Sequence, residues 1–414
     1  MRHPETGRIP SHFGKPSRLV LLAAFMMVAG CDRAPETVVT DNASAATSTS
    51  EETNAESTKP ISNERALKFA KELGEAIATG NSRATARLIA WPEIVARAAE
   101  PFDINETDKS DLIRDAVRTA ERLTNGIAIA VKKGSLYQLL HVKQQDGDPI
   151  AMFRLLSRNG TLNYHRLRIR RIRGQIRADQ FVNAAQGGDM SEAIRITLAK
   201  SAKNFMPAGK TTEQQKRLIE DLEFQQRITE AAAFGFEEEA LKLYDQLPDR
   251  LKMNRIMMLS RTKAIPDDNQ SAKTTAVKEC LANFPEDPAG AMMALDVGAI
   301  NADIDLLLKS HQILNQWTGG DLYLDLLVGA SLAGFGSHDL ALKMTESIDP
   351  SSAGVSSANT FKLSISLAVG DHAEVLKQLR ILRDEFKVEF SDLRESEKFR
   401  SFVASPEYEQ WKND

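Results

Sequence analysis

Apolar positions recur at helical spacing from Ser62 onward, with Leu67, Ala70, Leu73, Gly74 and Ile77 on one stripe and Gly80-Asn81 as the stop signal. A short helix from Ala84 to Ile89 follows, broken at Trp91-Pro92, and another spans Ile94 to Ala99. Ser110-Asp111 opens a longer helix with Leu112, Ile113, Ala116, Val117, Ala120 and Leu123 inward, closed by Asn125-Gly126. The run Ile127 to Val131 is apolar throughout and fits either a strand or a helix.

Beyond Gly134 the period changes. Leu136–Val142, Ile150–Leu156, Leu162–Arg171 and Gln175–Val182 read as four strands. They are separated by turns at Asp146-Gly147-Asp148-Pro149, Asn159-Gly160 and Gly174, and Asn-Gly suits hairpins because both residues tolerate positive φ. Helices followed by an antiparallel meander predict an α+β domain over residues 62–200. After Gly187-Gly188, Asp189-Met190-Ser191-Glu192 starts a connecting helix with a capping-box pattern. In architecture alone this order resembles the NTF2-like α+β cones, and the resemblance implies a concave sheet that holds a small ligand or mediates contact.

From Thr211 the pattern is helical to the end, and residues 211–414 are expected to form an all-α region. Three breaks match: Gly235 is followed five positions on by Ala240, Gly336 by Ala341, and Gly370 by Val375. Gly336 and Gly370 stand 34 residues apart, and Gly235 lies near three such periods before Gly336. The segments after these glycines also align, with Tyr244, Thr345 and Leu379 at one position and Leu247, Ile348 and Leu382 at another; Pro248 and Pro350 end two units. These features resemble degenerate tetratricopeptide repeats. That resemblance implies a solenoid of helix pairs, with the glycine at a turn where a Cβ would clash and the small residue admitting close helix packing. Departures are Asn269 and Ala302 where glycine is expected, and the lack of an early aromatic. Leu393, Phe399, Phe402, Tyr408 and Trp411, with a helix start at Ser405-Pro406-Glu407, read as a terminal cap.

The first 60 residues carry a different signal. A basic leader (Arg2, Arg8, Lys15, Arg18) precedes an apolar run from Leu19 that is too short to span a bilayer, then Ala29-Gly30-Cys31. Val28-Ala29-Gly30-Cys31 resembles the bacterial lipobox. The resemblance implies a signal peptide over 1–30, cleavage before Cys31, and acyl chains on its thiol that anchor the protein in the cell envelope. Residues 31–61, rich in Ser, Thr, Ala and Glu, read as a disordered tether. From Asp32 to Pro60 such a coil, fully stretched, reaches on the order of 95 Å.

The net charge of −4 gives no drive toward nucleic acid. With two cysteines, one of them at the lipidation position, no disulfide is available within the mature chain, and Cys280 reads as a small buried hydrophobe. No catalytic, metal-binding or cofactor-binding set emerges: none of the seven histidines has a ligand partner at metal spacing, and phosphate-loop and Gly-x-Ser-x-Gly patterns are absent. His338 and His372 fall two residues past the repeat glycines, at helix starts expected to be solvated. Tyr164 and His165 point to opposite sheet faces, and Asp179 is a conceivable carboxylate partner for acid–base work. Alternation places Arg166, Arg168 and Arg170 on one face, opposite Leu167 and Ile169. The stripe reads either as a patch for an anionic partner or as a solvated face guarded by charge. Together these features lead to an expectation of a non-catalytic, lipid-anchored adaptor that binds an envelope protein. The alternative is a ligand-binding cone.

Overall fold

The computed structural model describes residues 60–414 apart from 103, 105, 121–123, 158–159, 206–211, 347–354 and 391. The leader, Cys31 and nearly all of the tether lie outside the described residues, as do Ile348 and Pro350 of the repeat pattern. The described chain has N-terminal helices, then a five-stranded antiparallel sheet, then a wholly helical region. It divides into two compact units, one reaching Asn183 and continuing over Gly188–Leu251, the other made of Ala184–Gly187 and Lys252–Asp414.

In the first unit, α1 (Asn63–Thr79) begins where the Ser62 hydroxyl accepts from the Arg65 N–H and ends on Gly80 at φ 69°. Its buried face is Ala66, Phe69, Ala70, Leu73, Ala76 and Ile77, whereas Leu67, expected inward, is 39% exposed. Two short helices follow, α2 (Ser82–Leu88) and α3 (Trp91–Ala99). Pro92 sits in the first turn of α3, where the missing N–H costs nothing, so it begins a helix rather than merely interrupting one. Helix α4 (Glu106–Ala120) starts one turn earlier than the sequence suggests. Asn125-Gly126 forms the first turn of α5 (Asn125–Lys132) instead of closing α4, and this settles the ambiguous Ile127–Val131 run as helix.

The sheet runs in the order β1 (Leu136–Gln145), β2 (Asp148–Leu156), β3 (Leu162–Ile172), β4 (Gln175–Asn183) and β5 (Gly188–Asp189). The four long strands match the expected ones to within three residues at either end. Asp146 and Gly147 both have positive φ (53° and 84°), as do Arg173 and Gly174 (51° and 79°), the backbone twist that two-residue hairpins need. β1 and β4 each carry a bulge. Helix α1 lies on the inner face of the sheet, and a Cβ on its Gly74 would come within 2.7 Å of Phe153. Along the stretch of β4 that β5 does not reach, the Ala90 N–H donates to the Ala178 carbonyl at 2.8 Å. Helices α6 (Met190–Phe205), α7 (Glu213–Ala233) and α8 (Glu237–Asp245) complete the unit, which ends at Leu251 within the one-turn α9 (Asp249–Lys252).

The second unit is helical throughout its described residues: α10 (Arg255–Ala264), α11 (Gln270–Asn283), α12 (Pro288–Asn301), α13 (Ile304–Thr318), α14 (Leu322–Gly334), α15 (His338–Glu346), α16 (Val355–Val369) and α17 (His372–Asp384). Each packs against the next in chain order. The C-terminal segment closes this series. Leu393, Phe402 and Tyr408, the last on α19 (Pro406–Asn413), join Val375, Leu376, Leu379 and Leu382 of α17 in one core, with Phe399 and Trp411 against it. Phe402 lies on the one-turn helix α18 (Arg400–Val403) and is fully buried.

Candidate functional site

The arginine stripe lies where alternation puts it. Leu167 and Ile169 are fully buried, while Arg166, Arg168 and Arg170 point to the other face. Pairing with β4 proceeds from Leu167–Phe181 through Arg168–Gln180 to Ile169–Ala178, so Asp179 is the extra residue of a bulge. That bulge re-aims its carboxylate onto the arginine face. Arg168 then holds Asp179 with two parallel bonds of 2.8 Å, the side chains being 25% and 8% exposed. Arg170 donates to Asp148 at 2.7 Å. Burial lowers the Arg166 pKa and the charge of Asp189 opposes that shift. The stripe therefore has carboxylates of its own sheet alongside it, an arrangement that stabilises the strands and leaves little uncompensated charge for an outside anion.

Asp179 consequently serves Arg168 and not His165. Tyr164 and His165 are both buried although they face opposite ways, because both faces of the sheet are covered at this point. His165 sits edge-on to Phe181 at 5.2 Å between ring centroids, and 5.6 Å from Tyr137. Nε2 lies 3.3 Å from the Asn163 amide nitrogen, and Nδ1 is enclosed without a hydrogen-bond partner. Burial holds its pKa down to about 3, so the imidazole is neutral across the physiological range and unsuited to trading protons. Tyr137 stacks on Phe153 at 5.1 Å with its hydroxyl enclosed, and burial pushes that hydroxyl's pKa up. Phe153, Tyr137, His165 and Phe181, closed over by Gly74 of α1, fill the inner face of the sheet.

Sequence spacing missed a half-buried histidine–carboxylate contact in the helical unit. His311 on α13 and Asp325 on α14 meet at 2.6 Å with side chains 14% and 15% exposed. They are fourteen positions apart on different helices, so neither a ligand-spacing rule nor one-helix periodicity could find them. His338 and His372, expected in solvent, are half-buried, each with one enclosed ring nitrogen that has no partner. His372 leans on Phe402 with centroids 6.1 Å apart, which accounts for its burial. Cys280 is buried beside Met258, Leu259 and Ala289, and burial raises its thiol to about 11, far from thiolate character. Among the described residues no three His, Cys, Asp or Glu side chains cluster as metal ligands.

The repeated glycines share one geometry. Gly235, Gly336 and Gly370 have φ of 76°, 79° and 75°, and each stands two residues before a helix. A Cβ at any of the three would meet nothing within 4 Å, so conformation and not a clash is what requires glycine there. Five positions on, Ala240, Ala341 and Val375 are all fully buried. Ala302, the non-glycine of the series, adopts the same left-handed backbone at φ 52°, whereas Asn269 does not, at φ −93°. Left-handed turns thus fall at 302, 336 and 370 with constant spacing. Five residues past Ala302 stands the bulky Leu307, and here the first helix supplies the small residue instead. A Cβ on Gly298 would lie 2.9 Å from the Leu307 backbone nitrogen. No family model, curated protein or solved structure matches this chain.

Proposed function

We propose that this protein is a lipid-anchored, non-catalytic adaptor of the bacterial cell envelope that binds a partner protein through tetratricopeptide-like helix pairs. The reading is supported above all by the constant interval of the left-handed turns at 302, 336 and 370, each followed by a helix that packs on its predecessor. Stacked pairs of this kind present an extended concave surface suited to a peptide or a protein face. Acyl chains on Cys31 would hold the folded units at a membrane, with the residues before Pro60 as the leash. The packed inner face of the sheet favours a structural or contact role for the first unit over that of a ligand cup. Two independent readouts test the proposal. In cells fed a labelled fatty acid, the wild-type chain is expected to take up label and Cys31→Ser none; equal labelling rejects the anchor. Photo-crosslinking residues at the exposed Ile300 and Val369 are expected to trap a discrete protein partner in intact cells. A crosslinking pattern that shows no protein adduct at either position rejects the adaptor.

A further inference from the structure

In the helical unit the left-handed turns share a surface chemistry as well as a backbone. The stretches 300–305, 335–340 and 369–374 contain Asp303, Asp305, Asp339, Asp371 and Glu374 and no lysine or arginine. The positive end of a helix favours acids in its first turn, but that preference alone does not produce this pattern. Helices α10, α11, α12 and α16 of the same unit begin without an acidic residue in the first turn. The three that follow the left-handed turns, α13, α15 and α17, each have one. Lys278 holds Asp303 at 2.7 Å and Lys377 holds Glu374 at 3.1 Å. Asp305, Asp339 and Asp371 are exposed, and among the described residues no cationic side chain is in ion-pair contact with them. Apolar side chains stand beside these carboxylates. Ile300 and Val369 are 51% and 44% exposed, and Phe335, 34 positions before Val369, is half-buried. Val369 and residues 336–340 line an open notch of about 380 Å³, which brings the turns at 336 and 370 to one surface. Leu340 and Val369 are its apolar wall, Asp339 is in its lining, and Asp371 follows Val369 by two residues.

We infer that this notch receives an apolar side chain of a partner protein, and that the segment carrying it is basic, with lysine or arginine placed to meet Asp339 and Asp371. The inference rests on the adaptor reading and adds to it the place of contact and the chemistry of the partner. Charge complementarity selects the occupant. An acidic rim repels the anionic headgroups of a bilayer and the phosphates of nucleic acid, and an acidic peptide is rejected for the same reason. A basic segment gains from the rim, which speeds its approach and discriminates against other partners. The apolar side chain in the notch supplies the holding contact, as a central buried residue does in most protein interfaces.

Photo-crosslinking from position 369 of the full chain in intact cells, compared across charge variants, tests the inference. Asparagine keeps the acceptor through which Asp371 caps α17, and Asp339 is exposed, so Asp339→Asn with Asp371→Asn should spare the fold. The yield of the protein adduct is expected to fall about fivefold in this variant and further in Asp339→Lys. Glu397→Gln, which removes an exposed charge outside the notch, should leave the yield unchanged. Mass spectrometry of the adduct should place the trapped partner residue in an apolar position with lysine or arginine within about one helical turn. A yield indifferent to both charge variants, or a trapped site with no basic neighbour, overturns the inference and leaves the adaptor reading standing. An adduct to lipid or to a second copy of this chain overturns it too. Adducts from position 300 with none from 369 do the same, whereas none from either position removes the adaptor reading along with it.

Discussion

Exchanging the residues at the three equally spaced turns should produce effects of opposite sign and similar size. Ala302 holds φ 52°, a conformation that costs an L-residue about 1–2 kcal/mol. Replacement by glycine removes that cost but frees the unfolded chain, a loss of about 0.4–1 kcal/mol. Ala302→Gly should therefore stabilise the α12–α13 pair by about 0.5–1 kcal/mol. Gly336→Ala and Gly370→Ala reverse the balance. A Cβ at either site meets nothing within 4 Å, so the whole penalty is conformational and should also be about 0.5–1 kcal/mol. Native-state hydrogen exchange, read at the amides of the two helices flanking each turn, measures this locally without requiring the two units to unfold together. Slowing of about two- to fivefold for Ala302→Gly, and acceleration of similar size for the two alanine variants, is expected. Faster exchange in Ala302→Gly, or a cost of several kcal/mol at Gly336, would refute the equivalence of these turns.

Three further outcomes follow from the first unit and the cap. His165 is neutral in the fold down to about pH 3, whereas in the unfolded chain it binds a proton below about 6.5. The unfolded state thus holds more protons between these values, and stability falls with falling pH. At pH 5 the loss relative to pH 7 should be about 2 kcal/mol, and denaturation curves of His165→Phe should lack that component. Arg168→Met strands the buried Asp179 carboxylate and should cost about 3 kcal/mol in urea unfolding. Adding Asp179→Leu should recover part of this, and no recovery would mean the pair is not coupled. Phe402→Ala removes the centre of the C-terminal cluster, at about 3–5 kcal/mol, with protease cleavage after α17 as the first sign.

The sheet could be read from the sequence because alternation and turn chemistry are both local, and Asp146-Gly147 and Gly174 placed three strand ends closely. What escaped reading depended on neighbours far along the chain. The tenant of Asp179 follows from a bulge, which shifts a side chain to the other face and leaves no mark in a two-residue pattern. Leu67 lies on the apolar stripe of α1, but Ala66 and Phe69 turn inward in its place. Asn125-Gly126 has the composition of a stop and opens a helix, since the apolar run behind it needs α-helical packing. His372 was placed in solvent because its cover, Phe402, comes thirty residues later. The repeat period was visible at Gly336 and Gly370 and hidden at Ala302, where the backbone keeps the conformation after the side chain has departed from type.

The seat of Gly298 against Leu307 has a consequence for how such an array can change. At the places equivalent to these two, the later pairs carry Leu332 with Ala341 and Ser366 with Val375, all buried. Bulk is thus shared out differently in each pair, and no pair spends it twice. Grafting α14 onto α13 would set one leucine against another in room made for a single one, and the reverse graft would leave a void. Viable recombination in this region must therefore move both members of a hairpin together, and single-helix chimeras should be lost at folding, before any partner is met.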